Sequence, residues 1–184
     1  MREIGESSYR RFLQEDPEAL EELIRTYSDA LVRYAFCYVK NSAAAEDIME
    51  EAFVCALLRR KQLAHPDQLK AYLYKTVRNR SVDYLRCHRR EVPICDVEHI
   101  LVCPDAESAV VRGWQNTVLY ARMQSLPAQY REVLELSCFE DFSVDQICRI
   151  MDKRPKQVYN LLARAKVALR TLLEKEGFTR EDLF

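Results

Sequence analysis

The sequence predicts an all-α protein in which two small helical domains are joined by an acidic linker. Apolar residues recur at the three-and-four spacing of an amphipathic helix in several long segments. The alternation of apolar and polar residues between turn dipeptides, which is typical of strands, does not occur. Only three glycines are present, too few for a glycine-rich phosphate loop.

The composition is that of a folded chain, with 48% hydrophobic and 31% charged residues in a length of 184. The first residues lack the apolar core of a signal peptide, and no apolar run approaches the roughly 18 to 20 residues of a membrane span. We therefore expect a cytoplasmic protein without membrane insertion. The seven cysteines form no CxxC pair, which argues against a disulfide framework.

The first domain, residues 1–90, is predicted to contain three helices. The first helix begins at Asp16-Pro17, where a capping carboxylate precedes a proline at the first helical position. Ser42 is the expected cap of the second helix, and a break at Pro66 precedes the third. The second and third helices are predicted over about 43–61 and 67–90.

Charge is distributed unevenly along the chain, although the formal net charge is only −1. Residues 1–58 carry twelve acidic and six basic side chains. Residues 59–90 carry ten basic and two acidic side chains, a local net charge of +8. Residues 91–108, the predicted linker, carry five acidic side chains and no Lys or Arg. The basic segment favours a nucleic-acid partner.

Three tyrosines, Tyr72, Tyr74 and Tyr84, lie among the cations of the third helix. Aromatic rings can stack on unpaired bases while the cations bind phosphates. Alternatively, the rings pack in the core and the charges only keep the surface soluble. We expect Tyr84 in the core, but the local excess of positive charge favours nucleic-acid binding by this helix.

The second domain, residues 109–184, contains a predicted helix-turn-helix. Ser143 and Gln146 have the spacing of a capping box, which predicts a helix start. A three-residue turn, 152–154, separates this short helix from a long one that begins at Pro155. The helices of this domain are predicted over about 106–124, 127–139, 144–151 and 155–175.

The apolar stripe of the last helix determines which of its side chains face outward. With Val158 and Ala165 in the stripe, Tyr159 and Arg164 lie on its flanks. The side chains expected to face outward are Lys156, Asn160, Ala163 and Val167. Such a helix fits a DNA major groove, and an ordinary solvated helix pair is the alternative.

Two clusters of polar residues have more than one interpretation. The acids Asp47, Glu50 and Glu51 on the second helix fit either a docking site for a basic partner or a solvated face. The linker residues Cys95, His99 and Cys103 could be drawn as a zinc site, but their spacing matches no usual zinc pattern. We therefore predict no metal and no cofactor, and the linker cysteines leave redox control as a hypothesis.

Enzymatic chemistry is not predicted. Histidines occur only at positions 65, 88 and 99, and neither a GxSxG nor an HExxH motif is present. The sequence therefore indicates a binding protein rather than an enzyme.

Three segments resemble regions two and four of the extracytoplasmic-function (ECF) sigma factors of bacterial RNA polymerase. These segments are AEDIMEEAF (45–53), AYLYKTVRNRSVDYLR (71–86) and LPAQYREVLELSCFEDFSVDQICRIMDKRPKQVYNLLARAK (126–166). The resemblance covers about 16–90 and 110–175. It implies a transcription initiation factor that binds core RNA polymerase and recognises the −10 and −35 promoter elements.

The resemblance also implies partners and contact residues. The implied partners are the β′ clamp helices and β flap of core polymerase, promoter DNA and an anti-sigma factor. Candidate polymerase contacts are Asp47, Glu50, Glu51 and Phe53. Candidate −10 contacts are Tyr74, Lys75, Arg78, Asn79 and Arg86, together with the loop from Lys61 to Asp67. Candidate −35 contacts are Lys156, Gln157, Tyr159, Asn160, Arg164 and Lys166.

The chain departs from the family pattern in its helix-turn-helix. Asp152 stands in the turn where many members have glycine, and Tyr159, Asn160 and Leu161 replace a basic residue, a serine and an arginine. Two other functions remain alternatives: a stand-alone helix-turn-helix regulator, which would need its own dimer interface, and a protein-binding helical adaptor that kept the fold.

Overall fold

The computed structural model describes residues 6–63, 65–88 and 122–174. Within these ranges all regular elements are helical, which confirms the predicted all-α class. Contacts divide the chain into two compact units, Met1–Ala106 and Glu107–Phe184. The predicted linker 91–108, and most of the helix predicted over 106–124, lie outside the described residues.

The first unit is built on three long helices. Helix α2 packs against both α3 and α4, which also pack against each other, and the short α1 lies against α2. Buried apolar side chains from the three long helices, among them Leu31, Ala45 and Leu73, form the core. The bounds are α1 Glu6–Leu13, α2 Pro17–Val39, α3 Ser42–Arg59 and α4 Pro66–His88, with a 3₁₀ turn at Arg60–Gln62.

Helix α1 was not predicted. It has only eight residues, and a helix of that length has little stability of its own. Its inward side chains Tyr9 and Phe12 are buried, with their ring centroids 6.2 Å apart. Tertiary packing therefore stabilises this helix. The apolar pattern of only two turns was too short to predict it from the sequence.

The caps of the long helices are polar side chains next to the first turn. Asp16 caps α2 as predicted, and its Oδ1 accepts a hydrogen bond from the backbone N–H of Glu18 at 3.0 Å. The cap predicted for the second helix, Ser42, is wrong. Asn41 caps α3 instead, because its Oδ1 accepts from the N–H of Ala44 at 3.0 Å.

The second unit contains the predicted helix-turn-helix. Its helices are α5 Ala128–Leu134, which continues as a π-helical turn Glu135–Phe139, then α6 Val144–Met151 and α7 Pro155–Glu174. Residues 122–124 are also helical. Helix α7 packs against both α5 and α6.

Local signals position the two helices of this motif. Ser143 and Gln146 form the predicted capping box, with hydrogen bonds of 3.3 Å and 2.9 Å between each side chain and the other's backbone N–H. Asp152 ends α6 in the left-handed conformation, with φ of 53°. An aspartate tolerates this conformation better than most non-glycine residues, so the tight turn forms without the family's glycine.

Within the described ranges, no helix is long and apolar enough to span a lipid bilayer.

Candidate functional site

The outer face of α3 is acidic and partly apolar. Asp47, Glu50 and Glu51 are all exposed, as the sequence predicted. One and two turns further along lie Val54 and Leu58, of which Leu58 is 80% exposed. A helix face that combines acids with exposed aliphatic side chains suits a basic protein partner with an apolar patch.

Two predicted contact residues are not at the surface. Phe53 is only 5% exposed and belongs to the core, so it does not lie with the acids of α3. Tyr74 is fully buried, with its ring centroid 5.1 Å from that of Tyr34 on α2. Tyr74 is therefore left out of the proposed −10 contacts, because its face of α4 packs against α2.

The remaining predicted −10 contacts lie along α4. Lys75, Asn79 and Arg86 are exposed, and Arg78 is half-buried. Tyr84, which we expected in the core, is also half-buried, and its ring stacks on the imidazole of His88 with the centroids 3.9 Å apart. The outward surface of α4 is therefore basic and polar, with aromatic rings at its margin.

A groove of about 640 Å³ runs between α3 and α4. Its wall combines cations, an amide, a thiol and an aromatic ring. The lining residues are Cys55, Leu58, Arg59, Tyr72, Lys75, Thr76, Asn79, Arg80 and Asp83. Tyr72, not Tyr74, is thus the tyrosine next to the exposed cations.

The −10 contacts implied by the family resemblance omit three residues that line this groove, namely Tyr72, Arg59 and Arg80. The lining residues contributed by α4 recur at positions 72, 75, 76, 79, 80 and 83, which is the three-and-four spacing of a single helix face. That spacing was available in the sequence and groups these residues on one face, but it does not show which face of α4 is covered by α2.

An ion pair crosses the groove. The Nε atom of Arg80 lies 3.2 Å from Oε2 of Glu51, and its Nη2 lies 3.9 Å from the Sγ of Cys55. The hydrogen bond to Cys55 and the charge of Glu51 raise the pKa of Arg80 above its already high ordinary value. Arg80 is therefore a permanent cation in the groove.

Helix α7 presents a polar, cationic face opposite its buried side. Val158 and Ala165 are buried, whereas Tyr159 is 61% exposed. All six predicted −35 contacts are exposed: Lys156, Gln157, Tyr159, Asn160, Arg164 and Lys166. Gln157 also has a local role, because its Oε1 accepts from the N–H of Arg154 at 2.9 Å at the start of the helix.

No group of three potential metal ligands comes together among the residues that the structure describes. The linker residues Cys95, His99 and Cys103 lie outside the described residues. Cys55 and Cys148 are partly buried free thiols, one on α3 and one on α6.

Comparison with known families matches both units. The family model described as Sigma-70 region 2 matches residues 23–91, and that described as Sigma-70, region 4 matches residues 117–169. Together they cover about two thirds of the chain. This chain belongs to the sigma-70 family, as a factor of the ECF type.

Two curated relatives resemble the chain over most of its length. The RNA polymerase sigma factor SigV of Bacillus subtilis (strain 168) is 28% identical, over 85% of this chain and 92% of the relative. The ECF RNA polymerase sigma factor SigM of the same strain is 27% identical, over 85% of this chain and 96% of the relative.

Two solved structures share the fold. CnrH, in complex with the cytosolic domain of CnrY, has a TM-score of 0.62 at 18% identity and covers 92% of this chain and 97% of its own. The sigma factor RpoE of Bartonella quintana, in complex with the anti-sigma factor NepR, matches with a TM-score of 0.65 at 20% identity. The match covers 84% of this chain and 96% of the RpoE chain.

The family membership defines the class of activity. Sigma factors are non-enzymatic transcription factors, and this chain is a sigma factor for transcription initiation.

Proposed function

We propose that this protein binds core RNA polymerase through the outer face of α3 and directs it to promoters whose −10 element contacts α4 and whose −35 element contacts α7. The observation that carries the proposal is the opposite character of two neighbouring faces in the first unit. One is the acidic face with Asp47 and Glu50, and the other is the groove with Lys75 and Arg80. A protein partner and a nucleic acid would recognise these faces separately.

The acidic face is the proposed polymerase-binding surface. By resemblance to the family, its partner is the clamp-helix region of the β′ subunit. Charge complementarity steers association and fixes the register of two surfaces, while exposed Val54 and Leu58 offer apolar area to bury. Phe53 is left out of the proposed contact set because it belongs to the core.

The groove between α3 and α4 is the proposed −10 surface. Lys75 and Arg80 can bind phosphates, and Tyr72 offers a ring on which an unpaired base can stack. Each such stack contributes about 1–3 kcal/mol to single-strand binding. Unpaired bases are the expected ligand because melting of the promoter exposes them in this element.

Helix α7 is the proposed −35 reader. In a helix-turn-helix the N-terminal turns of the second helix lie in the major groove. Lys156 and Asn160 occupy those turns and are exposed, with Arg164 and Lys166 available for phosphates. By family resemblance, this unit would also bind the β flap.

An anti-sigma factor is a further proposed partner. The RpoE structure that shares this fold is a complex with the anti-sigma factor NepR. With these partners, we expect the protein to act in the cytoplasm, where transcription takes place.

The proposal is tested with purified protein, bacterial core polymerase and genomic DNA of the host. We expect transcript starts that depend on the protein and share two spaced upstream elements. The double variant Asp47→Lys/Glu50→Lys should lose core binding and these starts. The matched control Glu21→Lys/Glu22→Lys makes the same charge change on exposed residues of α2 and should keep both.

Two results would overturn the proposal. Absence of a complex with core and of new starts would favour an independent DNA-binding regulator. Core binding without salt-sensitive DNA binding by the complex would favour a protein-binding adaptor, since phosphate contacts release counterions.

A further inference from the structure

The α3–α4 connecting segment, defined here as Arg60–Leu63, is held by residues from the beginning of the chain. It starts with the 3₁₀ turn Arg60–Gln62 and continues through Leu63. The family resemblance assigns the loop from Lys61 to Asp67 to the −10 element. Helix α1 touches this turn, although more than 45 residues separate them along the chain.

The first attachment is a hydrogen bond from Tyr9 on α1. Its hydroxyl donates to the backbone carbonyl of Leu63. The Tyr9 side chain is 2% exposed, and this burial raises the pKa of its hydroxyl above the ordinary value. A tyrosine hydroxyl is in any case protonated at neutral pH and can donate this hydrogen bond. Leu63 is itself buried, so the bond fixes one end of the connecting segment in the interior.

The second attachment is an ion pair at the other end of the 3₁₀ turn. Glu15, in the bend between α1 and α2, pairs through its carboxylate with the guanidinium of Arg60. The Nη1 of Arg60 also donates to the carbonyl of Leu57 at 2.8 Å, which ties the same guanidinium to the last turn of α3. Arg60 therefore joins the end of α3 to the α1–α2 bend.

The two attachments act on one short unit. The N–H of Leu63 donates to the carbonyl of Arg60 at 3.1 Å, so the held residues are also bonded to each other. Between them, Lys61 and Gln62 have exposed side chains. Anchored ends with free side chains between them are what a preorganised binding loop requires, because less conformational freedom is lost on binding.

We propose that Tyr9 and Glu15 are positioning residues that hold the α3–α4 connecting segment in the conformation that reads the −10 element. This inference rests on the proposed function. It assigns α1 and the α1–α2 bend a role in promoter discrimination that is separate from polymerase binding, since neither residue lies on the acidic face of α3.

The experiment uses full-length protein assembled with core polymerase. Tyr9→Phe keeps the ring and removes the donor, and Glu15→Gln removes the charge. Transcription is measured on a cognate promoter and on templates with single substitutions in the −10 element. We expect the preference for the cognate promoter to fall about fivefold for Tyr9→Phe, the size of effect expected for one hydrogen bond. Affinity for core should stay within about twofold.

Two controls separate positioning from general stability. Arg11→Gln breaks the ion pairs of Arg11 with Asp16 and Glu18 at the same end of the protein without touching the connecting segment. Leu31→Val removes one methylene from the core on α2, so it lowers the melting temperature but leaves both attachments in place. Both controls should keep the wild-type promoter preference.

The outcomes distinguish this inference from the function on which it rests. Wild-type protein without dependent transcription would overturn the proposed function itself. Normal wild-type transcription with unchanged −10 preference in Tyr9→Phe and Glu15→Gln would overturn only the positioning role. An equal loss of preference in Leu31→Val at matched melting temperature would also overturn it, because destabilisation alone would then explain the effect.

Discussion

Glu51 on α3 and Arg80 on α4 form an ion pair, with Oε2 and Nε 3.2 Å apart. The pair joins the face proposed to bind polymerase to the groove proposed to bind promoter DNA. Both side chains are about half exposed, so the net stabilisation is small, about 0–1 kcal/mol. Binding of polymerase to Glu51, or of promoter DNA to Arg80, can therefore break this ion pair at little cost in free energy.

Replacement of Arg80 should weaken promoter binding through the loss of a phosphate contact. For holoenzyme with Arg80→Gln on forked −10 DNA, we expect the slope of log affinity against log salt to decrease by about 0.7. Binding is measured by fluorescence anisotropy across a salt series. Arg25→Gln, an exposed arginine on α2, is the control. An unchanged slope for Arg80→Gln would show that this guanidinium does not bind phosphate.

The two neighbouring tyrosines of α4 should behave differently on truncation. Tyr72→Ala removes a ring from the groove and should weaken the binding of single-stranded DNA by about 1–3 kcal/mol. It should have little effect on the free energy of unfolding of the protein. Tyr74→Ala removes a fully buried ring and should lower the free energy of unfolding by about 3–5 kcal/mol. Anisotropy and urea unfolding measure the two effects. Strong DNA loss in a fully stable Tyr74→Ala protein would contradict this assignment.

The turn of the helix-turn-helix should prefer glycine over alanine at Asp152. The left-handed backbone here is costly for a residue with a Cβ, and aspartate tolerates it better than alanine does. We expect Asp152→Ala to lower the free energy of unfolding by about 1 kcal/mol and Asp152→Gly to change it by less than about 0.5 kcal/mol. Thermal unfolding of the full chain provides the comparison. Equal stability of the two variants would exclude a role for the backbone angle.

Asp16 should make stability depend on pH in the acid range. The hydrogen bond from Arg11 lowers the pKa of Asp16 below its ordinary value of 3.8, and the N–H of Glu18 lowers it further. A lowered folded pKa stabilises the fold above the unfolded pKa, and that contribution is lost as pH falls through the folded pKa. Asp16→Asn retains a good N-cap but no charge. The melting temperature of this variant should be below that of wild type at pH 7 and equal to it in strong acid. If the two melting temperatures differed by the same amount at every pH, the charge of Asp16 would not be the source of the stabilisation.

Sequence alone was sufficient where a feature depends on neighbours along the chain. The capping box at Ser143 and the outward face of α7 follow from spacing within one helix. The same reasoning failed at Tyr74, because only the position of α2 decides which edge of the α4 stripe is covered. It also failed to choose between Asn41 and Ser42, since both side chains are able to cap a helix.

Features that depend on distant contacts could not be predicted. Helix α1 is too short to be stable alone, and the bond from Tyr9 to Leu63 joins residues 54 positions apart. The ion pair of Glu51 with Arg80 likewise depends on how α3 and α4 pack. The sequence therefore identified the exposed residues of the proposed surfaces more readily than the contacts that hold those residues in place.

The base preference of α7 should depend on Asn160. This side chain is exposed in the second turn of the helix, on the side opposite buried Val158 and Ala165. An asparagine amide can form two hydrogen bonds with N6 and N7 of adenine in the major groove, and few other bases match that pattern. The sequence-independent part of the affinity should come instead from cations such as Lys166, which suit phosphates.

We therefore expect a −35 element with adenine at one position read by Asn160. In transcription from a promoter library randomised across this element, Asn160→Ala should lose the preference for adenine. The expected loss in discrimination against the other bases is about 1–3 kcal/mol. Lys166→Ala should weaken all promoters to a similar extent, because a phosphate contact carries no base information. If Asn160→Ala selected the same sequences as wild type, the specificity of this helix would have to come from other side chains or from the shape of the DNA.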